Sequence, residues 1–249
     1  TMFPMLYYRE LLTTDRDAYG IYVQSPFPKE NRRILIGSDV SSRYTRRNRA
    51  EYRKIAGYIA RCVWQRQGNY MVFFPSYRLM EDVLQVYEEE FSVDWVRCVC
   101  QTPDMTEQER EGFLEEFQER EGTLVGFCVL GGIFSEGVDL TGESLIGAVI
   151  VGTGLPQIGS QREILKEYYD KKNHCGFDYA YRYPGMNKVL QAAGRVIRTK
   201  EDKGVILLLD DRFWDRDYQE IFPREWQDRT GCRLDTVEGA VETFWKRFT

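Results

Sequence analysis

Two arginines, a glutamine and a glycine are concentrated between residues 191 and 198, where the chain reads Gln-Ala-Ala-Gly-Arg-Val-Ile-Arg. Gln191, Arg195 and Arg198 have the i, i+4, i+7 spacing that places side chains on one helix face. Two planar guanidiniums on one face can clamp a polyphosphate. Gly194 costs a helix about 1 kcal/mol, so we expect another backbone to approach closely there. An ordinary amphipathic helix with solvated arginines is the alternative.

A second polar segment, Gly-Gly-Ile-Phe-Ser-Glu-Gly-Val-Asp-Leu at 131–140, follows the apolar run 124–130. The run is typical of a buried parallel strand, and α/β proteins build sites where such strands end. Glu136 and Asp139 are candidates to hold a ribose hydroxyl, a water or a partner arginine. The glycines permit tight or left-handed backbone and leave amides free for phosphate: Gly131, Gly132 and Gly137. A Gly-Gly loop alone is more often only a turn.

Together the two segments resemble motifs V and VI of superfamily 2 helicases. Their residues are most similar to those of the DinG/XPD (Rad3-related) DNA helicases. Residues 70–77, Tyr-Met-Val-Phe-Phe-Pro-Ser-Tyr, are similar to motif IV of that branch. Ser-Pro-Phe at 25–27 and Asp-Val-Ser-Ser-Arg-Tyr at 39–44 match the start of its second motor domain. Order and spacing agree over nearly the whole chain.

The resemblance implies an α/β, RecA-like second motor domain at 29–249, preceded at 1–28 by the edge of a first motor domain and a linker. The sequence contains neither the Gly-x-x-x-x-Gly-Lys-Ser/Thr phosphate loop nor an Asp-Glu-x-His box. We therefore expect a C-terminal half that is inactive alone. An absent first domain would complete the site for ATP and Mg²⁺.

The resemblance also implies residue roles. Arg198 would be the arginine finger, Arg195 would bind the γ-phosphate, and Gln191 would position water or phosphate. Nucleotide sensing would fall to the segment that contains Glu136, Gly137 and Asp139. The backbone of a single DNA strand would be held by side chains at strand ends, namely Ser76, Tyr77 and Ser135.

Charge is distributed unevenly in a chain whose net charge is −5. Acidic residues concentrate at 81–90 and 107–121, and basic residues at 43–54. The basic cluster lies near a predicted helix start, where the dipole disfavours cations. Arg43 and Arg46 are therefore candidate contacts for DNA phosphate or for an acidic face of the missing domain, and a solvated surface is the alternative. Bases interleaved with tyrosines before residue 183 are a further candidate for stacking nucleobases, with a folded surface as the alternative.

Composition is that of a globular domain, with 43% apolar and 29% charged residues in 249. The sequence contains no apolar run of about 18 residues, the length that would predict a membrane span. The six cysteines are scattered without a C-x-x-C pair, so we expect no metal site or iron–sulfur cluster in this chain. Whether the parent protein carries an iron–sulfur cluster elsewhere does not follow from this chain. We expect a monomeric cytoplasmic protein of bacterial origin.

Strand and helix patterns alternate, which predicts a mostly parallel sheet with helices on both faces. Helices are expected at 46–67, 79–91, from 106, around 191 and at 237–248. Strands are expected at 34–36, 70–74, 95–100, 124–130, 146–151 and 205–209.

Three functions are compatible with these patterns. The first is an ATP-driven translocase on single-stranded DNA that unwinds duplex, 5′ to 3′ by resemblance, in repair or replication. The second is an RNA-directed or non-unwinding ATPase on the same fold. The third is a docking module without activity, against which the complete Gln/Arg/Arg set argues, since docking requires no phosphate clamp.

Overall fold

The computed structural model describes residues 4–15, 17–118, 122–134 and 144–248. Its helices are α1 (Met5–Leu12), α2 (Arg49–Val63), α3 (Tyr77–Glu90), α4 (Glu107–Glu116), α5 (Ser160–Asn173), α6 (Tyr183–Ala193), α7 (Arg216–Gln219) and α8 (Val237–Trp245). Its strands are β1 (Arg32–Gly37), β2 (Asn69–Phe74), β3 (Val96–Cys100), β4 (Thr123–Val129), β5 (Gly147–Val151), β6 (Gly204–Leu209) and β7 (Thr230–Cys232).

Within the described residues the seven strands form one sheet in the order β3-β4-β2-β5-β6-β1-β7, and every pairing is parallel. The predicted parallel α/β fold is confirmed. All carboxyl strand ends therefore lie along one edge of the sheet, called the carboxyl edge below, and all amino ends along the opposite amino edge. No helix in these ranges has the length and apolar character that crossing a membrane requires.

The core consists of two apolar layers, one on each face of the sheet. Successive side chains of a strand point to opposite faces, so Tyr70, Val72 and Phe74 join one layer while Met71 and Phe73 join the other. The first layer is covered by α2, α3 and α8, and the second by α4, α6 and the chain after β6. Helices on both faces were expected, because a strand that is apolar at every position must be buried on both sides.

Most predicted elements are present, with ends set by their caps. α2 begins later than predicted, because the Asn48 side chain accepts a hydrogen bond from the Glu51 N–H and so caps the helix at Arg49. The capping box of Thr106 and Glu109 opens α4 as predicted. The sequence patterns did not predict α5, α7 or the three-residue edge strand β7.

Tyr169 and Tyr179, two of the tyrosines before residue 183, form a cluster with Tyr7 inside the protein, whereas Tyr168 is exposed. Tyr169 stacks on Tyr179 with ring centroids 3.9 Å apart, and Tyr7 of α1 meets Tyr179 edge-on at 5.3 Å. Tyr169, Tyr179 and Tyr181 are almost fully buried. Their rings therefore leave no face for a nucleobase, and the stacking hypothesis is wrong for these three. Glu10 fastens α1 by accepting hydrogen bonds from Tyr179 and Lys172.

Candidate functional site

The residues expected to clamp a polyphosphate lie at and beyond the end of α6. The helix ends at Ala193, and the N–H groups of Arg195 and Val196 bond back three residues, to the carbonyls of Ala192 and Ala193. Such i→i+3 bonds tighten the chain. Only Gln191 is therefore helical, and the prediction that it shares one helix face with Arg195 and Arg198 is wrong. Both arginines lie on the turn that leads into β6, and both are partly exposed.

The close approach of another backbone that was expected at Gly194 is not made within the described chain. Its φ of −66° is ordinary, and a Cβ at this position would meet only carbonyl oxygens of α6, that of Leu190 at 3.2 Å and that of Gln191 at 3.5 Å. No other part of the described chain approaches it. Its low helix propensity instead coincides with the end of α6.

Asp202 positions the turn that carries Arg198, and sequence reasoning did not single it out. Its carboxylate is buried and accepts hydrogen bonds from the N–H groups of Arg198 and Thr199, both at 2.7 Å. The Thr199 hydroxyl donates to the same carboxylate at 2.8 Å. The Thr-x-x-Asp spacing after the arginine is the signal that indicates such a turn.

We predict that Asp202→Ala lowers kcat for ATP hydrolysis by the full-length protein about 100-fold, since a displacement near 1 Å can have that effect. KM should change little, because Asp202 acts through the position of Arg198. Asp202→Asn, which keeps one acceptor oxygen, should restore part of kcat. The control is Asp235→Ala, at a carboxylate that is 78% exposed. Equal kcat in the Asp202→Ala variant and the unmodified protein would remove this assignment.

An open groove of about 1030 Å³ lies beside the end of α6. One wall is formed by α6 and the following turn, including Leu190, Ile197 and Arg198, and the other by residues 20–27 and Pro223–Trp226. Leu6, Ile21 and Val23 line it with side chains that are 59 to 78% exposed. The groove therefore presents a cation beside an uncovered apolar surface.

The glycine-rich segment is described only in its first part. Gly131 has φ +76°, as the expectation of left-handed backbone requires. Ser135, Glu136, Gly137 and Asp139 lie outside the described residues, so their roles stay predictions.

Ser76 and Tyr77 lie where β2 meets α3, at the carboxyl edge. The Ser76 hydroxyl caps α3 by accepting from the Leu79 N–H. The Tyr77 hydroxyl accepts from the Gln101 side chain at 2.8 Å, and Gln101 also accepts from the Val129 N–H at 3.0 Å. This network ties the start of α3 to the end of β4. The two residues are thus placed beside the glycine-rich segment, on the edge opposite to the turn after α6.

Arg43 and Arg46 are held by carboxylates of the chain itself. Arg46 pairs with Asp211 and with Glu51, each at 3.2 Å. Arg43 lies 3.5 Å from Asp211 and 3.7 Å from Asp215. The anionic partner expected for the basic cluster is therefore present within the fold, and a phosphate would have to compete with it.

Arg212 and its neighbour Asp211 in the sequence form no ion pair in the described chain. Arg212 pairs instead with Asp210, whose carboxylate is fully buried: Nε to Oδ1 is 2.7 Å. The N–H and hydroxyl of Ser42 donate to the same carboxylate at 2.9 and 2.6 Å. Burial favours the neutral acid, yet hydrogen bonds and charge from Arg212 and the bonds from Ser42 outweigh it and lower the pKa of Asp210. This network lies at the carboxyl edge, away from the turn that carries Arg195 and Arg198.

Comparison with known proteins gives the family. A family model described as the helicase C-terminal domain matches residues 59–229. The chain is 29% identical over 206 residues to a probable ATP-dependent helicase of Methanocaldococcus jannaschii, a match that covers 78% of this chain and 31% of that protein. It is 30% identical over 189 residues to the ATP-dependent DNA helicase XPD of Sulfolobus acidocaldarius, a match that covers 72% of this chain and 31% of that protein. The chain thus spans about a third of these relatives.

Solved structures agree on the fold. An XPD helicase structure superposes with a TM-score of 0.63 at 24% identity, over 81% of this chain and 35% of that one. The C-terminal domain of the DEAD-box protein Dbp5 superposes with a TM-score of 0.50 at 13% identity, over 88% of this chain and 98% of that one. These structures share the RecA-like architecture of a second helicase domain.

The expected bacterial origin has no support among the relatives, because the helicases named above are archaeal and other similar proteins come from Drosophila and Caenorhabditis. The expected family does have support, both from the family match, which covers more than half of the chain, and from the related helicases. The chain therefore belongs to the helicase C-terminal domain family, as a DinG/XPD-type domain of superfamily 2.

Proposed function

We propose that this chain is the second motor domain of an ATP-dependent DNA helicase that couples ATP hydrolysis to translocation on single-stranded DNA and to duplex unwinding. Its relatives are ATP-dependent helicases about three times its length. Movement would be 5′ to 3′ by resemblance, in DNA repair or replication. A monomeric, cytoplasmic protein is part of the proposal, and six free thiols are typical of a reducing compartment.

The observation that carries the proposal is the place of Arg195 and Arg198. Both lie on a turn outside α6 and are partly exposed, and Arg198 lines an open groove. A cation that must reach a phosphate on another domain needs this exposure. The uncovered apolar side chains of the same groove suit the protein's own N-terminal motor domain as the covering partner.

ATP would then bind between the two domains, with Mg²⁺ held by the first. Arg198 would act as the arginine finger, Arg195 would bind the γ-phosphate and Gln191 would position water or phosphate. Glu136, Gly137 and Asp139 would sense the nucleotide. Closure of the groove on ATP and its release after hydrolysis would move the domains along the strand. Contacts to the DNA backbone, from Ser76, Tyr77 and Ser135, would make this movement largely independent of base sequence.

The test is ATP hydrolysis by the full-length protein with and without single-stranded DNA. We expect strong stimulation by DNA, and unwinding of a duplex with a 5′ tail in preference to a 3′ tail. Stimulation by RNA alone would favour an RNA-directed ATPase. Absence of hydrolysis would favour the docking module. This chain purified by itself should hydrolyse no ATP.

A further inference from the structure

Two arginines at the carboxyl edge differ from Arg43 and Arg46 in their partners. Within the described residues, neither Arg47 nor Arg78 forms an ion pair with a carboxylate. Arg47 Nε donates a hydrogen bond to the neutral carbonyl oxygen of Ser42 at 3.3 Å, not to a carboxylate. Arg78 is exposed in the first turn of α3.

The segments that carry these arginines are neighbours in space. A Cβ on Gly152 would lie 2.5 Å from Ser42 Oγ and 3.7 Å from Pro75 Cγ, so the chain around Ser42 and the turn before α3 flank the same glycine. Gly152 has φ +84° at the end of β5. Arg47 follows the chain around Ser42, and Arg78 follows the turn at Pro75. The two arginines therefore belong to different elements on the same side of the molecule.

Both guanidiniums act on one hydroxyl. Burial and a hydrogen bond to Asp82 raise the pKa of Tyr52, while the positive charges of Arg47 and Arg78 lower it. Tyr52 lies on α2 and Asp82 on α3. Both cations therefore lie within electrostatic reach of the Tyr52 hydroxyl, on the side of the molecule where α2 and α3 contact each other. The first turn of α3 holds no acidic residue, although a helix start favours anions. Asp82, in the next turn, is hydrogen-bonded to Tyr52 and forms no ion pair with either arginine in the described chain.

An exposed aromatic ring adjoins this pair. Tyr44 is 84% exposed, and the guanidinium of Arg47 lies 5.6 Å from its ring centroid. A tyrosine ring in water beside uncompensated cations is the combination with which proteins hold single strands, the ring for a base and the cation for the adjoining phosphate.

We propose that Arg47 and Arg78 bind a backbone phosphate of single-stranded nucleic acid, and that Tyr44 stacks on a neighbouring base. The proposal rests on the proposed function and deepens it. It moves the cationic contact of the basic cluster from Arg43 and Arg46, whose charges the fold already neutralises, to the two arginines that it leaves without a carboxylate.

The test compares two double variants of the full-length protein, each of which loses two charges: Arg47→Gln with Arg78→Gln, and Arg216→Gln with Arg247→Gln as the control. Arg216 and Arg247 are exposed and lie outside this site. Affinity for a fluorescent oligothymidylate is measured across a salt series. Loss of this one phosphate contact should reduce the magnitude of the slope of log K against log salt by about 0.7. Affinity should fall about ten-fold or more, and the control should match the unmodified protein.

The outcomes separate this inference from the proposed function. If the unmodified protein binds no oligothymidylate and shows no stimulated ATP hydrolysis, the proposed function fails. If it does both, and the variant of Arg47 and Arg78 keeps its affinity and salt slope, the site proposed here is wrong and the function stands. Thermal melting of each variant shows that the comparison is made on folded protein.

The ring has its own test. Tyr44→Ala should weaken binding of oligothymidylate several-fold, whereas Tyr44→Phe, which keeps the ring, should bind normally. On an abasic track of the same length the alanine variant and the unmodified protein should bind equally, because there is no base to stack. Equal weakening of Tyr44→Ala on both tracks would overturn the stacking role.

Discussion

Replacement of Arg198 by alanine in the full-length protein is expected to lower kcat for ATP hydrolysis by about 10³–10⁵-fold, the range that arginine fingers provide. As the bond to the leaving group breaks, negative charge moves onto the leaving oxygen, and a guanidinium placed there stabilises it. Asp202 fixes the Arg198 backbone, and the side chain reaches an open groove. The measurement is single-turnover hydrolysis with the protein in saturating excess over ATP, which reports the chemical step.

Arg198→Lys distinguishes charge from geometry. Lysine keeps the positive charge but loses the planar fork, so most of the defect should persist. Arg216→Ala, at a side chain that is 88% exposed, is the charge-matched control and should leave hydrolysis unchanged. A rate for Arg198→Ala within a few-fold of the unmodified protein would assign the finger elsewhere, with Arg195 as the next candidate.

Replacement of Asp210 by alanine is expected to destabilise the domain by about 3–5 kcal/mol, because it leaves the charge of Arg212 buried without its partner. The Ser42 N–H and hydroxyl lose their acceptor at the same time. Asp215→Ala is the control, since its carboxylate is 58% exposed and its pairing with Arg43 should contribute at most about 1 kcal/mol. The measurement is the denaturant midpoint of the full-length protein's transition that includes this domain.

A double variant and a pH series sharpen this prediction. Asp210→Ala with Arg212→Met removes both charges, so it should be more stable than Asp210→Ala alone. The pKa of Asp210 is lowered in the fold, so its contribution is complete above the unfolded pKa of about 3.9 and is lost as pH falls through the lower folded pKa. The difference between Asp210→Ala and the unmodified protein should therefore shrink only in strong acid. A constant difference would mean that the carboxylate's charge is not what stabilises the network.

Local patterns in the sequence were sufficient for the fold class and most elements. The run of residues 70–74 is apolar at every position, which requires a strand buried on both faces and hence a parallel sheet covered on both sides. Thr106 and Glu109 are three residues apart, and their capping box depends on no distant part of the chain. The motif order along the chain likewise indicated the helicase family without knowledge of its folding.

The positions of Arg195 and Arg198 relative to α6 could be learned only from the structure. Helical spacing placed Arg195 and Arg198 on one face with Gln191, but that spacing holds only while i→i+4 bonds continue. They end near Gly194, where hydrogen bonds to carbonyls three residues back replace them. Sequence period alone does not show where a helix stops if the following residues still fit the pattern.

The sequence by itself determined which side chains can meet phosphate, because residue type and motif order are local properties. Only the tertiary structure decided which of these cations keep an available charge. Arg46 is neutralised by Asp211, a residue 165 positions away, whereas Arg47 beside it pairs with no carboxylate in the described chain. The tyrosine cluster follows the same rule, since Tyr7 meets Tyr179 across most of the chain. Burial and charge compensation arise from contacts between distant segments, and no spacing within one segment records them.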